Sequence, residues 1–460
     1  MAMFLFGLIS AIALIQTFLS LLFIVGLLYR INKKKDTVCI VVLGDIGRSP
    51  RMQYHAVSYL KENFKVKILG FYGSTPIKSL RDNDKVSFVQ LNRPWEKFMW
   101  MPGVVNYVLK ALYQSFQLFF TLLFIVEKPG HFLVQNPPSI PTLSIVWLMT
   151  CIKGSDLVID WHNYAYSILN LNIKQEKHML VRFAKWYEGF FGFLADKNIC
   201  VTKSMKADLK LKWHIGAEVL YDRPPEHFNE TSTKEKHKLF LKLVTEGYKE
   251  FQDSDQCTVI TEKNGTGLKQ DRPAILISST SWTEDEDFGI LLNALEIYER
   301  KKKTQPNLPK LICIITGKGP LKSFYQELIQ QMDFANITIL TPWLSPEDYP
   351  KIIGSGDLGI CLHTSSSGLD LPMKVVDMFG CRLPVCAVNF SCLHELVEHG
   401  VNGLTFQSSN ELADQLVEIL CGFPDHTEKL QHFRNNLITF QNVRWHENWK
   451  NVVLPMISRN

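Results

Sequence analysis

The chain has 460 residues, 46% of them hydrophobic and 21% charged, which is enough for two ordinary domains with their own cores. Its net charge of +5 is mild, and Lys and Arg are spread rather than massed, which argues against a nucleic-acid partner. There are 10 cysteines and no CxxC pair, and even the neighbouring Cys381, Cys386 and Cys392 lack a zinc spacing, so they read as small buried thiols in a reducing compartment.

No charged residue occurs from Ala2 to Leu28. A bilayer core takes about 20 apolar residues, so 2–28 is predicted to be a transmembrane anchor. YRINKKK follows, and Arg30, Lys33, Lys34 and Lys35 keep the body of the protein in the cytosol by the positive-inside rule. A cleaved signal peptide would want a basic start, an apolar core of about 7–15 residues and a small-residue cleavage site; this segment does not fit that description. A second apolar region, Val104 to Glu127, is interrupted by Lys110, Gln114 and Gln117. Its apolar, aromatic face suits a helix in the membrane interface or a buried domain helix. Sequons at Asn229, Asn264, Asn336 and Asn389 would be acceptors only in the lumen, so this topology predicts that they stay bare.

Beyond the anchor, apolar runs alternate with helical patterns. VCIVVLG from Val38, KVKILGFY from Lys65, VSFVQL from Val86, HFLVQN from His131, DLVIDWH from Asp156 and KNICVT from Lys197 read as strands. Continuously apolar strands separated by helices form a parallel sheet covered on both faces. This gives a first doubly wound domain at 36–228. Residues 229–272 are polar and read as a linker and surface insertion, with one helix around Leu239 to Glu250. AILISST from Ala274, KLICIITG from Lys310, ITILTPWL from Ile337, DLGICLH from Asp357 and LPVCAVN from Leu383 begin a second doubly wound domain at 273–440, and 441–460 reads as a C-terminal tail. The expected fold class is α/β: two doubly wound, Rossmann-like domains facing across a cleft, behind an N-terminal transmembrane helix. Ligands of open α/β sheets bind outside the carboxyl ends of the strands, so the chemistry is expected there.

LGDIGRSPRMQYHA, 43–56, hands the first strand to a helix. Gly44 and Gly47 permit a sharp turn and close approach of a ligand. Ser49 suits the N-cap and Pro50 the first helical position. The helix start favours an anion and Arg48 adds a full charge. The stretch is therefore either a phosphate pocket or a plain strand-to-helix turn; it is neither a dinucleotide fingerprint nor a P-loop. Asp160, His162 and Asn163 end a later strand. His162 is a candidate general base or donor to the departing phosphate, and Asp160 is either the base or the group that orients His162.

In the second domain, Ser278, Ser279, Thr280, Ser281 and Trp282 end the first strand, where hydroxyl and N–H groups can hold phosphates. Glu284, Asp285, Glu286 and Asp287 read as a solvated helix start rather than a metal site. In IITGKGPL, Gly317 and Gly319 shape a turn, Pro320 opens a helix, and Lys318 either reaches a phosphate or lies free on the surface. The richest segment is HTSSSGLDLPMKVVDMFGC, from His363. It holds a Ser-rich loop with Ser366 and Gly368, then Asp370 ahead of a helix opened by Pro372 and closed by Gly380. Lys374 and Asp377 share a face. They suit a diphosphate and ribose hydroxyls, or else a simple structural pair.

Two doubly wound domains, the G-x-G-P turn and the Ser/Gly-rich loop before PMKVVDMFGC resemble the GT-B glycosyltransferases. LGDIGRSPRMQYHA, FLVQNPPSIPTL, DWHNYAYSIL, YEGFFGFLADKNICVTKSM, LYDRPP, SSTSWTEDEDF and SSSGLDLPMKVVDMFGC extend the likeness over nearly the whole chain, to the mannosyltransferases that build the dolichol-linked oligosaccharide. The resemblance implies an inverting β-1,4-mannosyltransferase that moves mannose from GDP-mannose to GlcNAc2-PP-dolichol. It further implies a single-pass protein of the endoplasmic reticulum membrane with its catalytic domains on the cytosolic face, and other mannosyltransferases of the pathway as partners. Two rivals stay open: another GT-B glycosyltransferase of that pathway, or a catalytically silent scaffold.

By the same resemblance, Thr280, Ser281, Trp282, Gly317, Lys318, Ser366, Gly368, Leu371, Lys374 and Asp377 would serve the nucleotide sugar. Gly44, Gly47, Arg48 and Asn136 would serve the acceptor diphosphate, and His162 and Asp160 catalysis. No resident cofactor is expected, and a divalent metal is at most stimulatory and dispensable for binding. Many GT-B mannosyltransferases carry two glutamates eight positions apart. Here the second position is Asp377 and eight back is Leu369, so the first carboxylate is missing or displaced to Asp370. The double-glutamate enzymes mostly retain configuration, so the gap suits an inverting enzyme and leaves the base to Asp160 or His162.

Overall fold

The structure, a computed structural model, describes residues 36–93, 103–254 and 256–458. The anchor expected at 2–28 lies outside the described residues. The chain divides after Tyr221 into two compact units, and the stretch from Trp449 onward returns to the first.

The first unit is built on β1 (Thr37–Asp45), β2 (Lys65–Phe71), β3 (Val86–Leu91), β4 (His131–Asn136), β5 (Asp156–Trp161), β6 (Lys197–Cys200) and β7 (Glu218–Val219). They form one parallel sheet in the order β3-β2-β1-β4-β5-β6-β7. The order reverses between β1 and β4, and that switch point is where a doubly wound sheet opens a crevice for ligands. Val38 to Val42 are buried along β1, as a strand covered on both faces requires. The edge strand β7 is too short to leave an apolar run in the sequence.

The helix Gly103–Phe120 continues into a wide turn, Thr121–Ile125. Leu118 and Leu122 are buried against the unit, while Leu112, Phe116 and Phe124 are 60%, 65% and 72% exposed. The window Val108–Ile125 is long and apolar enough to cross a membrane, with a mean hydropathy of 1.5. Helix Thr142–Lys153 contacts both this helix and Met179–Leu194. The latter exposes Met179, Phe183, Trp186, Phe190 and Phe193.

The second unit holds a hairpin, β8 (Gln252–Ser254) with β9 (Cys257–Thr258), and the sheet strands β10 (Ala274–Ser279), β11 (Leu311–Thr316), β12 (Ile337–Leu340), β13 (Leu358–Cys361), β14 (Val385–Val388) and β15 (Gly403–Phe406). The sheet is again parallel, in the order β12-β11-β10-β13-β14-β15, and reverses between β10 and β13. Alternation along β10 sends Leu276 into one core and Ile275 and Ile277 into the other, so both faces are covered. All ten cysteines are free.

Two segments differ from the sequence reading. Residues 229–272 are not a bare linker. Helix Thr233–Thr245 starts on a capping box made by Ser232 and Glu235, and Leu239, Phe240, Leu243, Phe251 and Ile260 enter the second unit's core. Flanking lysines and glutamates on the helix's outer face mask this apolar side in the sequence. The expected tail is largely helix, Trp445–Ser458.

Phe240→Ala should therefore lower the stability of the second unit by about 3–5 kcal/mol in denaturant unfolding. A loss below about 1 kcal/mol would show that this segment is peripheral.

Candidate active site

In the first unit the helix Pro50–Lys61 begins just beyond the switch-point strand β1. Arg51 and His55 stand one turn apart on it and reach β5 together. The Arg51 guanidinium grips the buried Asp160 carboxylate on both oxygens, Nε to Oδ2 at 2.8 Å and Nη2 to Oδ1 at 2.9 Å. His55 Nε2 and His162 Nε2 approach Oδ2 at 3.0 and 2.8 Å. Burial opposes charge on Asp160, but Arg51 and His162 outweigh it and hold the carboxyl well below its ordinary range.

An ionised carboxylate only accepts hydrogen bonds, so both imidazoles present Nε2–H to it. His162 is 22% exposed and keeps Nδ1 for another partner. The geometry thus divides the roles between the two candidates. Asp160 is committed to four donors, and His162 carries the lone pair that faces outward.

Next to this dyad, Asn136 donates through Nδ2 to Glu188 Oε1 at 2.9 Å and to the Asn163 carbonyl at 3.3 Å. Glu188 also accepts the N–H groups of Ala165 and Tyr166, at 2.8 and 3.0 Å. Burial pushes the Glu188 carboxyl up to about 7 despite these bonds. Asn136 therefore holds the loop after β5 through its amide nitrogen, while its Oδ1 is buried without a partner among the described residues.

The remaining first-unit candidates lie in the β1 turn. A side chain on Gly47 would run into the Ser74 carbonyl oxygen, so glycine is needed for chain packing there, whereas one on Gly44 would make only ordinary contact with Val42, at 3.8 Å. Arg48 turns outward: its side chain is 75% exposed and donates to Ser74 Oγ at 3.2 Å. The cation brought into the interior is Arg51.

In the second unit, three loops converge at the carboxyl ends of β10, β11 and β13. Side chains on Gly317 and Gly319 would meet the Thr280 and Ser281 carbonyl oxygens at 1.8 and 1.7 Å, so the G-x-G turn lies flat on the β10 loop. Glu286 ties that loop to the next helix. It accepts from Thr280 Oγ1 and from the Ser281 N–H at 2.9 Å, and its other oxygen meets Lys374 Nζ. Lys374 stands at the start of the helix Met373–Gly380, which has no side-chain cap. A cation and the first N–H groups of a helix are thereby presented together, the arrangement that binds diphosphates.

Asp377 lies 3.5 Å from the Tyr349 hydroxyl, which is 3.1 Å from Ser279 Oγ. Burial and the neighbouring Asp222 push the Asp377 carboxyl well up. Lys374 and Asp377 therefore take different partners instead of pairing. Lys318 is surface-exposed over the Trp343 ring, 3.9 Å from its centroid. Trp282 is fully buried against Phe288 and Tyr325, so its ring belongs to the core and not to the loop cluster.

The Ser-rich loop folds around Asp370. Ser365 donates to Asp370, Gly368 takes φ +71°, and the Gly368 carbonyl accepts from Ser391. Ser366 and Leu371 are half-buried in this loop. Pro372 occupies the cap position itself, with the helix beginning at Met373.

The acidic run at 284–287 is not simply a solvated helix start, because of its four residues Asp287 alone caps the helix, accepting from the Gly289 N–H at 2.8 Å. Glu286 is buried, and Asp285 pairs with His363 Nδ1 at 3.0 Å. On its other side His363 Nε2 is 3.8 Å from Asp370. Burial pushes the His363 imidazole down, but Asp285 and Asp370 together raise it to about 9. Among the described residues no group of three or more His, Cys, Asp or Glu side chains gathers as a metal site.

Residues 272–421 match the family model described as Glycosyl transferases group 1. HepE of Anabaena in complex with UDP and glucose superposes with a TM-score of 0.59 at 16% identity, covering 92% of this chain and 99% of that one. Sucrose-phosphate synthase of Thermosynechococcus elongatus superposes with a TM-score of 0.60 at 12% identity, covering 92% and 97%. Fold and family model define a glycosyltransferase of the GT-B class. Among its relatives, the human chitobiosyldiphosphodolichol β-mannosyltransferase is 49% identical over 93% of this chain and 94% of its own, and the mouse protein 46% identical over 98% and 96%. The chain belongs to the chitobiosyldiphosphodolichol β-mannosyltransferase family. The Arabidopsis protein UDP-glycosyltransferase TURAN is 41% identical over 93% of this chain and 98% of its own.

The folded pKa of His363, about 9, lies above its ordinary 6.5. The stability it contributes is therefore complete below the ordinary value and lost as pH rises through the folded one. NMR titration should give a His363 midpoint near 9, returning toward 6.5 in Asp285→Asn, with unfolding stability falling between those values in the parent and not in the variant. A parent midpoint near 6.5 would contradict the triad geometry.

Proposed function

We propose that this protein transfers the first mannose from GDP-mannose to GlcNAc2-PP-dolichol, with inversion, on the cytosolic face of the endoplasmic reticulum membrane. The observation that carries the chemical reading is the His162–Asp160 pair at the end of β5, with the imidazole Nδ1 turned outward from a buried carboxylate. Inversion needs a single displacement. The acceptor hydroxyl oxygen bonds to the anomeric carbon as the bond to the β-phosphate oxygen of GDP breaks, and the hydroxyl proton passes to His162 Nδ1. Asp160 stabilises the imidazolium that results. Lys374 and the start of the Met373–Gly380 helix steady the departing diphosphate.

The mannosyl group rests on the β-mannosyltransferase names among the relatives and the guanine nucleotide on the sequence resemblance, while the Arabidopsis relative is named for UDP. Exposed apolar side chains on Val108–Ile125 and on the helix Met179–Leu194 support membrane association beyond the anchor, since aromatic and aliphatic stripes of this kind settle at the lipid interface. Because Leu118 and Leu122 are packed on the domain, the longer helix reads as lying in the interface rather than spanning.

Membranes carrying the protein, given GDP-mannose and GlcNAc2-PP-lipid, should form one product bearing a single mannose removable by β-mannosidase, and UDP-sugars should give none. A product resistant to that enzyme would reject the linkage. His162→Ala should lower kcat by about 10²–10⁴-fold with donor KM little changed. Lys374→Ala should chiefly raise donor KM while leaving folding and membrane association intact. Full activity in both variants would exclude this site, and an inactive parent would favour the scaffold.

A further inference from the structure

We propose that Trp449 and His55 are positioning residues for His162, acting through Asp160 from the far end of the chain. This rests on His162 being the base. The indole Nε1–H of Trp449 donates to His55 Nδ1 at 2.9 Å. An indole N–H can only donate, so Nδ1 of His55 is bare and its proton is on Nε2. That Nε2–H then donates to Asp160 Oδ2 at 3.0 Å, the same oxygen that His162 Nε2 meets at 2.8 Å. All three groups other than His162 are buried: Trp449, His55 and Asp160 each show 0% exposure.

The consequence concerns a tautomer. A neutral buried imidazole has two of them, and only one puts a proton toward Asp160. The other would set a nitrogen lone pair against a carboxylate oxygen at 3.0 Å, in surroundings where such repulsion is poorly screened. Trp449 removes that choice. Burial keeps His55 itself uncharged, so it works as a donor and not as a second cation beside Arg51. With Arg51 on both oxygens and two imidazoles on Oδ2, the carboxylate cannot rotate, and the His162 ring is fixed with Nδ1 outward.

The indole is itself held, its ring edge-on to Tyr59 at 4.9 Å, and the Tyr59 hydroxyl lies 2.7 Å from His131 Nε2. The groups facing His55 are thus Arg51, Asp160 and His162 with Trp449 behind, and Tyr59 and His131 beyond it. Trp449 sits on the last helix, Trp445–Ser458, and is among the residues that rejoin the first unit. The helix Trp445–Ser458 completes the support of a base that stands just beyond β5.

The test uses the full-length, membrane-embedded protein with GDP-mannose and GlcNAc2-PP-lipid. Trp449→Phe, which keeps the ring and loses the N–H, should lower kcat about ten-fold with both KM values little changed. In a His162→Ala background the same change should have no further effect. His55→Gln, which keeps an N–H toward Asp160, should retain most activity, and His55→Leu should match Trp449→Phe. If Trp449→Phe fails to fold, the two His55 variants decide the matter. Unchanged kcat in Trp449→Phe and His55→Leu, with His162→Ala inactive, would overturn the positioning role and leave the base standing. An equal loss from Trp449→Phe in the presence and absence of His162 would also overturn it, as a general structural effect. A fully active His162→Ala would remove the base and this proposal with it.

Discussion

The first unit is organised around one ionised carboxylate with no solvent exposure, that of Asp160. Leaving such a charge unpaired in the interior costs several kcal/mol, so the fold must bring it partners. It does so from two directions. Arg51 and His55 come from the helix after β1, and His162 from two residues beyond Asp160 itself. Arg51 also donates to the Leu220 carbonyl at 3.0 Å, which ties the segment after β7 to the same point. The side chains around this carboxylate are held where the electrostatics oppose movement.

The second unit solves a similar problem with Glu286. Its carboxylate is buried and receives a hydroxyl and an N–H from the β10 loop and an ammonium from the helix Met373–Gly380. The loop that follows β10 is thereby fixed relative to the helix that follows β13, across the switch point of the sheet. Lys374 is held at one end of its reach by a carboxylate, and a diphosphate offers it stronger competition than water does. The glycines at 317 and 319 matter for a related reason: they let the β11 turn lie against the same loop, where a side chain would have no room.

The sheets were largely legible in the sequence because parallel strands covered on both faces must be apolar throughout, as VCIVVLG and KLICIITG are. Of the four edge strands of the two sheets, Val86–Leu91 and Ile337–Leu340 were legible too, whereas Glu218–Val219 and Gly403–Phe406, which close the sheets on the other side, were not. The ends of the central strands pointed to loops that the structure brings together. What the sequence hid was which polar residue turns inward. Arg48 and Arg51 are equally basic on paper, and only the helix phase sends Arg51 to β5 and Arg48 to solvent. The i, i+4 pair of Arg51 and His55 was a readable signal of a shared face. Glu286 looked like one of four solvated carboxylates, and its burial depends on Lys374, 88 positions away. Trp449 is 394 positions from His55, a contact that no local pattern encodes.

The central claim is that a buried anion fixes the orientation and the protonation pattern of His162. Long-range proton–nitrogen correlation spectra of the histidine-labelled protein near neutral pH read that pattern directly. The account requires a proton on Nε2 of His162 and a bare Nδ1. A bare Nε2 with the proton on Nδ1 would contradict it, because the ring would then offer its lone pair to Asp160 and have none for an incoming hydroxyl.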